Sequence, residues 1–149
     1  MEDNILKEQT KKSAKLAFVF TLIMLLWAIF GILGSIPVIG LAIKLVRIIF
    51  GVLFFIFWIV ALVFNFKTSL NARKVKPAIE GNCKVVFAMT LIWTLLWLVQ
   101  FILGFVIVGM LLVNPALAIA LGVISSLLPF IIQIVLLVFI SKIRKNLEF

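Results

Sequence analysis

The chain has 149 residues, of which 66% are hydrophobic and 13% charged, with a formal net charge of +9 and a mean hydropathy of +1.38. No aqueous core hides so large an apolar share, which excludes a soluble globular domain and indicates a small polytopic membrane protein. Histidine is absent, Cys83 is the one cysteine, and none of the five carboxylates (Glu2, Asp3, Glu8, Glu80, Glu148) falls inside an apolar run; the residues for a haem or zinc site, a Ser/His/Asp or Cys/His catalytic set, or an intramembrane proton relay are missing.

The polar tail 1–15, MEDNILKEQTKKSAK, places Asp3/Lys7 and Glu8/Lys12 at the i,i+4 spacing that supports a helix. The apolar run 16–34 is too long for a signal-peptide core and lacks a small-x-small cleavage site, so it reads as an uncleaved first span. Gly34-Ser35-Ile36-Pro37 should break it, and Gly40 should loosen the next turn. The connection from Ser35 to Arg47 is expected to lie along the headgroups, with Lys44 and Arg47 snorkelling.

Residues 48–66 form the second expected span. A hydrophilic loop follows at 67–84, with turns at Pro77 and Gly81-Asn82. The third span, 85–113, carries no charge; Asn114-Pro115 marks a turn; the fourth span is 116–141, and 142–149 is a basic tail. The expected fold is an all-α membrane protein: a single domain, 1–149, of four transmembrane helices in two helical hairpins.

Of the fourteen Lys and Arg, all but Lys44 and Arg47 fall in the two termini or the central loop. By the positive-inside rule these segments are cytoplasmic. Lys7, Lys11, Lys12 and Lys15 form a basic cluster suited to anionic headgroups, and topology with lipid contact accounts for the net charge without nucleic acid. Lys outnumbers Arg by eleven to three, a bias that fits an AT-rich bacterial genome and hence a bacterial cytoplasmic membrane.

The two halves resemble one another in the same orientation. Lys15, Phe18, Thr21, Leu22 and Ile23 match Lys84, Phe87, Thr90, Leu91 and Ile92. One residue later in register, Trp27 falls on Trp97 and Ile32-Leu33-Gly34 on Ile102-Leu103-Gly104. Ile59-Val60-x-Leu62-Val63-Phe64 likewise matches Ile134-Val135-x-Leu137-Val138-Phe139. Chance matches are common in Leu/Ile/Val/Phe-rich runs, but here lysine, threonine, tryptophan and glycine align too. A duplicated hairpin would place a pseudo-two-fold axis along the membrane normal.

Inside the apolar runs, Thr90, Thr94, Gln100 and Gln133 are either interhelical glue or the lining of a polar path; glue is the simpler reading, with Thr94 level with Gln133. Ala118, Gly122 and Ser126 recur at intervals of four, a seam for close helix packing. Pro129 should kink the fourth span beside Ser125-Ser126 and Gln133, as packing kinks and discontinuous-helix binding sites both do. Trp27, Trp58, Trp93 and Trp97 lie away from the interfaces that tryptophan favours, which suggests packing between helices ahead of an aromatic ligand pocket. The charge-free segment 104–122 exceeds what a bilayer of roughly 30 Å requires, so the outer hairpin should be tilted, folded back or covered.

The chain is therefore expected to be a non-catalytic interaction or accessory subunit without cofactor. It would associate with itself or another membrane protein through the fourth span and outer hairpin. The alternatives are an oligomeric small-solute transporter or channel, and a holin-like pore former.

Overall fold

The computed structural model describes residues 2–34 and 39–147, and among them there is no strand. Four long helices follow in chain order: α1 (Glu2–Leu33), α2 (Gly40–Val75), α3 (Glu80–Leu111) and α4 (Pro115–Leu147), with a single 3₁₀ turn at Pro77–Ile79. Each is long and apolar enough to cross a membrane. The helices have 32, 36, 32 and 33 residues, well beyond the ~20 that the hydrocarbon layer needs. The end carrying both termini and the central connection is called here the basic end, and the opposite one the distal end.

The polar flanks expected as tail and loop are largely helical. Helix α1 begins at Glu2, and α2 runs nine residues past Phe66 before Lys76 stops it. Pro77 forces Lys76 into extended backbone (φ −138°, ψ 91°), while Lys76 N–H still closes the last turn on the Ala72 carbonyl at 2.9 Å. The turn expected at Gly81-Asn82 does not form. Both residues sit in the first turn of α3, where Glu80 complements the helix dipole and approaches Lys84 at 3.6 Å.

Gly40 lies at a helix boundary, just past the turn residue Ile39. It starts α2, so Lys44 and Arg47 belong to the second helix and not to a segment lying on the surface. One lysine and one arginine in LAIKLVR are good helix formers and give no reason to stop. The break expected at Ser35–Pro37 lies outside the described residues. At the distal turn between α3 and α4, Asn114 accepts the Leu117 N–H at 3.3 Å and Pro115 occupies the first helical position, a capped start.

Each helix packs against two neighbours (α1 with α2 and α4, α3 with α4 and α2), and neither diagonal pair forms a substantial interface. The result is a ring of two hairpins. Most of its buried positions repeat at alternating three- and four-residue steps: Thr10, Ala14, Ala17, Thr21 and Met24 on α1; Trp58, Ala61, Asn65, Thr68 and Ala72 on α2, with Ser13, Leu62 and Ser69 buried beside them. The second half does the same with Ile79, Cys83, Val86, Thr90 and Trp93, and with Gln133, Leu136, Ile140, Ile143 and Leu147. This is the heptad seam of helices crossing at a shallow angle.

The two sets superimpose by sequence offset. A shift of 69 carries the α1 seam onto the Ile79–Trp93 seam, and a shift of 75 carries the α2 seam onto that of α4. The remaining buried residue of α4, Ala118, falls on buried Ile43. Every buried residue of α3 and α4 thus has a buried counterpart in the first hairpin, although only Thr21/Thr90 are identical. The agreement is what a duplicated hairpin would give, and it follows equally from two hairpins that share one heptad seam.

Packing, not exclusion from water, must hold such a bundle, since lipid tails are as apolar as leucine. The first hairpin contributes small seam residues that let backbones approach, and the second contributes Leu136, Ile140 and Ile143, all fully buried in the same cluster. Among the described residues, the one buried side-chain hydrogen bond between helices is Thr21 Oγ1 to Asn65 Oδ1, at 3.3 Å.

Candidate functional site: a tryptophan-lined cavity in the distal half

Above this seam the four helices separate around a cavity of about 290 Å³. Its floor residues are Met24, Trp58, Trp93 and Gln133. Each stands nine positions from the lysine that closes its span (Lys15, Lys67, Lys84, Lys142), about 14 Å along a helix and so near the bilayer midplane. Towards the distal end Trp27, Gly31, Arg47, Gly51, Phe54, Trp97, Gln100, Ser126 and Pro129 complete much of the wall. All four tryptophans of the chain converge here.

The aromatic wall has two parts. Trp58 stacks on Trp97 with ring centroids 5.3 Å apart and meets Trp93 edge-on at 6.5 Å. Opposite in sequence, Trp27 stacks on Phe54 at 3.9 Å, and the Arg47 guanidinium lies over the Trp27 ring at 5.0 Å. Gly31 makes room for that arginine: a Cβ there would stand 2.8 Å from Arg47 Cζ. Arg47 is half-buried and lines the distal part of the cavity, whereas Lys44 is exposed. No carboxylate of the described residues pairs with Arg47, since Glu8 and Glu80 lie at the basic end.

Pro129 explains one polar contact fully. Lacking an N–H, it leaves the Ser125 carbonyl, four residues back, without its helical donor. Gln100 Nε2 reaches across from α3 and donates to that carbonyl at 2.6 Å. Gln100 is therefore glue, with a partner that is a backbone oxygen and not another side chain.

Gln133 differs. It is 2% exposed, lines the floor, and its Oε1 has no hydrogen-bond partner; Trp58 Nε1, in a side chain 7% exposed, has none either. The level pairing of Thr94 with Gln133 does not occur, because Thr94 Oγ1 donates to the Thr90 carbonyl at 2.9 Å and Thr90 Oγ1 to the Val86 carbonyl at 2.7 Å. Both hydroxyls turn back on their own helix, and neither residue lines the cavity.

On α4, Ser126 lines the cavity and donates to the Gly122 carbonyl at 2.9 Å. Ala118 is buried, but a Cβ on Gly122 would meet nothing within 4 Å, so the seam of small residues is not a closed contact within the chain. Lys11, Lys12 and Lys15 are exposed at the basic end, and Lys7 is half-buried there. Asn65, which holds Thr21 and keeps an unpartnered Nδ2, was not singled out from sequence. Its signal was present: it is the one amide within the second apolar run.

The lining follows the internal repeat. Met24/Trp93, Ala28/Trp97, Gly31/Gln100, Gly51/Ser126, Phe54/Pro129 and Trp58/Gln133 are counterparts at the shifts of 69 and 75, so the cavity sits between equivalent faces of the two hairpins. The side chains nevertheless break the equivalence. The guanidinium comes from the first hairpin and both amides from the second.

Fold and site together define a small polytopic membrane protein of four helices with an intramembrane cavity. No family model, curated protein or solved structure matches the chain.

Proposed function

We propose that this chain is a non-catalytic membrane binding protein whose working part is the distal cavity, and that its ligand carries a negative charge. One observation carries the reading: Arg47 is turned into a tryptophan-walled cavity with no carboxylate of the described residues beside it. Half-buried over Trp27, the guanidinium is partly screened from water, so an anion that reaches it is held more strongly than it would be by a fully solvated cation. Trp58 Nε1 offers a second donor and Gln133 Oε1 an acceptor, which together orient a ligand. Binding is favoured over conduction because the bundle beneath the floor is closed by Ala17, Val86, Leu136 and Ile140, all fully buried.

In this reading the basic end faces the cytoplasm of a bacterial cell, so that the cavity serves the outer leaflet side. Titration of the purified protein in neutral detergent with octanoate and with glycerol phosphate, read by tryptophan emission, tests the proposal directly. The native protein should respond saturably to at least one of these anions and Arg47→Gln to neither. A response that survives Arg47→Gln unchanged refutes it.

A second reading, association with a copy of itself or another membrane protein, rests on the distal α3–α4 hairpin. That hairpin carries no charge from Val85 to Ser141, Leu112 is 91% exposed, and the open face of Gly122 leaves space for a closely approaching helix. Gly122→Leu should then dissociate the native assembly on size-exclusion chromatography while leaving the chain folded.

A further inference from the structure

We infer that the ligand of this cavity is an anionic amphiphile of the distal leaflet: its charged group is held at Arg47 and its chain lies in the groove between α1 and α2. The inference rests on the anion-binding reading above and adds the identity of the rest of the molecule.

The groove is a separate hollow of about 520 Å³ on the membrane-facing side of the first hairpin. It is lined only by Ile23, Leu26, Trp27, Phe30, Val46, Phe50, Leu53 and Phe54, with no polar side chain among them. Trp27 and Phe54 line the cavity as well. Their stack at 3.9 Å is therefore a shared wall, and Arg47 rests on its tryptophan. A molecule with its charge at Arg47 and its chain over Phe50 and Leu53 uses both hollows at once.

Depth agrees with this placement. Arg47 stands twenty positions from Lys67 along α2, about 30 Å, the level of the distal headgroups. Leu53 and Ile23 lie about 21 and 12 Å from the lysines that close their spans, so the groove covers the chain region of the distal leaflet and ends near the midplane. A soluble anion would leave this adjoining apolar hollow unused. The single guanidinium suits a monoanionic headgroup, and the free Gln133 Oε1 suits one that also carries a hydroxyl or amine donor.

The test places the full chain in nanodiscs of phosphatidylcholine containing a small mole fraction of chain-brominated phosphatidylglycerol, whose bromines quench nearby tryptophan. Chain-brominated phosphatidylcholine at the same fraction reports ordinary boundary lipid, and unbrominated phosphatidylglycerol and soluble glycerol phosphate serve as competitors. The inference predicts roughly tenfold preferential quenching by the anionic lipid, as expected for one charge-assisted contact. Unbrominated phosphatidylglycerol should reverse it and glycerol phosphate should not. Arg47→Gln should bring the two lipids level, and Arg47→Lys should restore part of the preference. Ile23→Phe, which fills the groove outside the cavity, should weaken the lipid while leaving any response to soluble anion intact.

If glycerol phosphate competes as well as the lipid and Ile23→Phe changes nothing, the amphiphile is refuted and the anion site stands. If neither lipid nor soluble anion is preferred over phosphatidylcholine by the native protein, the anion site falls with it.

Discussion

Gln100 and Pro129 form a lock whose two halves can be removed separately. Gln100→Leu takes away the donor that satisfies the Ser125 carbonyl, leaving a partly buried backbone oxygen with neither helical nor side-chain partner. Interhelical hydrogen bonds in membranes average about 0.6 kcal/mol and reach about 1.7. An orphaned acceptor adds to that loss, so a cost of about 1–2 kcal/mol is expected. Pro129→Ala restores the missing N–H, and α4 can then satisfy Ser125 unaided. In that background Gln100→Leu should cost only about 0–0.5 kcal/mol, consistent with removing a redundant bond. The assay is a double-mutant cycle on reversible unfolding in mixed micelles, followed by far-ultraviolet circular dichroism. Equal costs of Gln100→Leu in both backgrounds would refute the reasoning, because the amide would then act by filling space and not by replacing a lost donor.

Three further outcomes follow from burial. Gln133→Met should stabilise the bundle by about 1 kcal/mol, since it removes a buried oxygen with no protein partner while keeping volume; a lower unfolding midpoint would show that the oxygen is satisfied in the folded protein. Leu136→Ala, at a fully buried position, should cost about 2–5 kcal/mol in the same unfolding assay, against less than 1 for Leu95→Ala on the exposed face. Ala118→Leu should disturb folding because Ala118 is buried, whereas Gly122→Leu one turn later should leave the midpoint within about 0.5 kcal/mol.

Four helices in two hairpins were legible because the apolar runs exceed the bilayer and the charges cluster at their ends. Helix ends were less so. Gly81-Asn82 read as a turn, but glycine only weakens a helix, and both residues are taken into the first turn of α3. Pro77 and Pro115 were reliable because proline removes a donor and constrains its predecessor.

The seam was invisible for a different reason. In a chain apolar on every face, burial is not marked by hydrophobicity, and apart from Met24 and Trp58 at its distal end the seam of α1 and α2 is Thr10, Ala14, Ala17, Thr21, Ala61, Asn65, Thr68 and Ala72. Small and weakly polar side chains were the signal, and the sequence halves align through only one of them. Of the candidate site, Gln133 and Pro129 could be suspected from their position in the fourth span. The inward turn of Arg47 could not be foreseen, since snorkelling outward and folding over Trp27 look identical in a linear string.

The mismatch between a repeated scaffold and its unequal lining has a geometric consequence. A cradle with equivalent walls would accept any guest in two poses related by half a turn, and neither would be preferred. Placing Arg47 on one wall and Gln133 on the other removes that degeneracy. A guest with one charged end can then dock one way round, facing the same hairpin at every encounter.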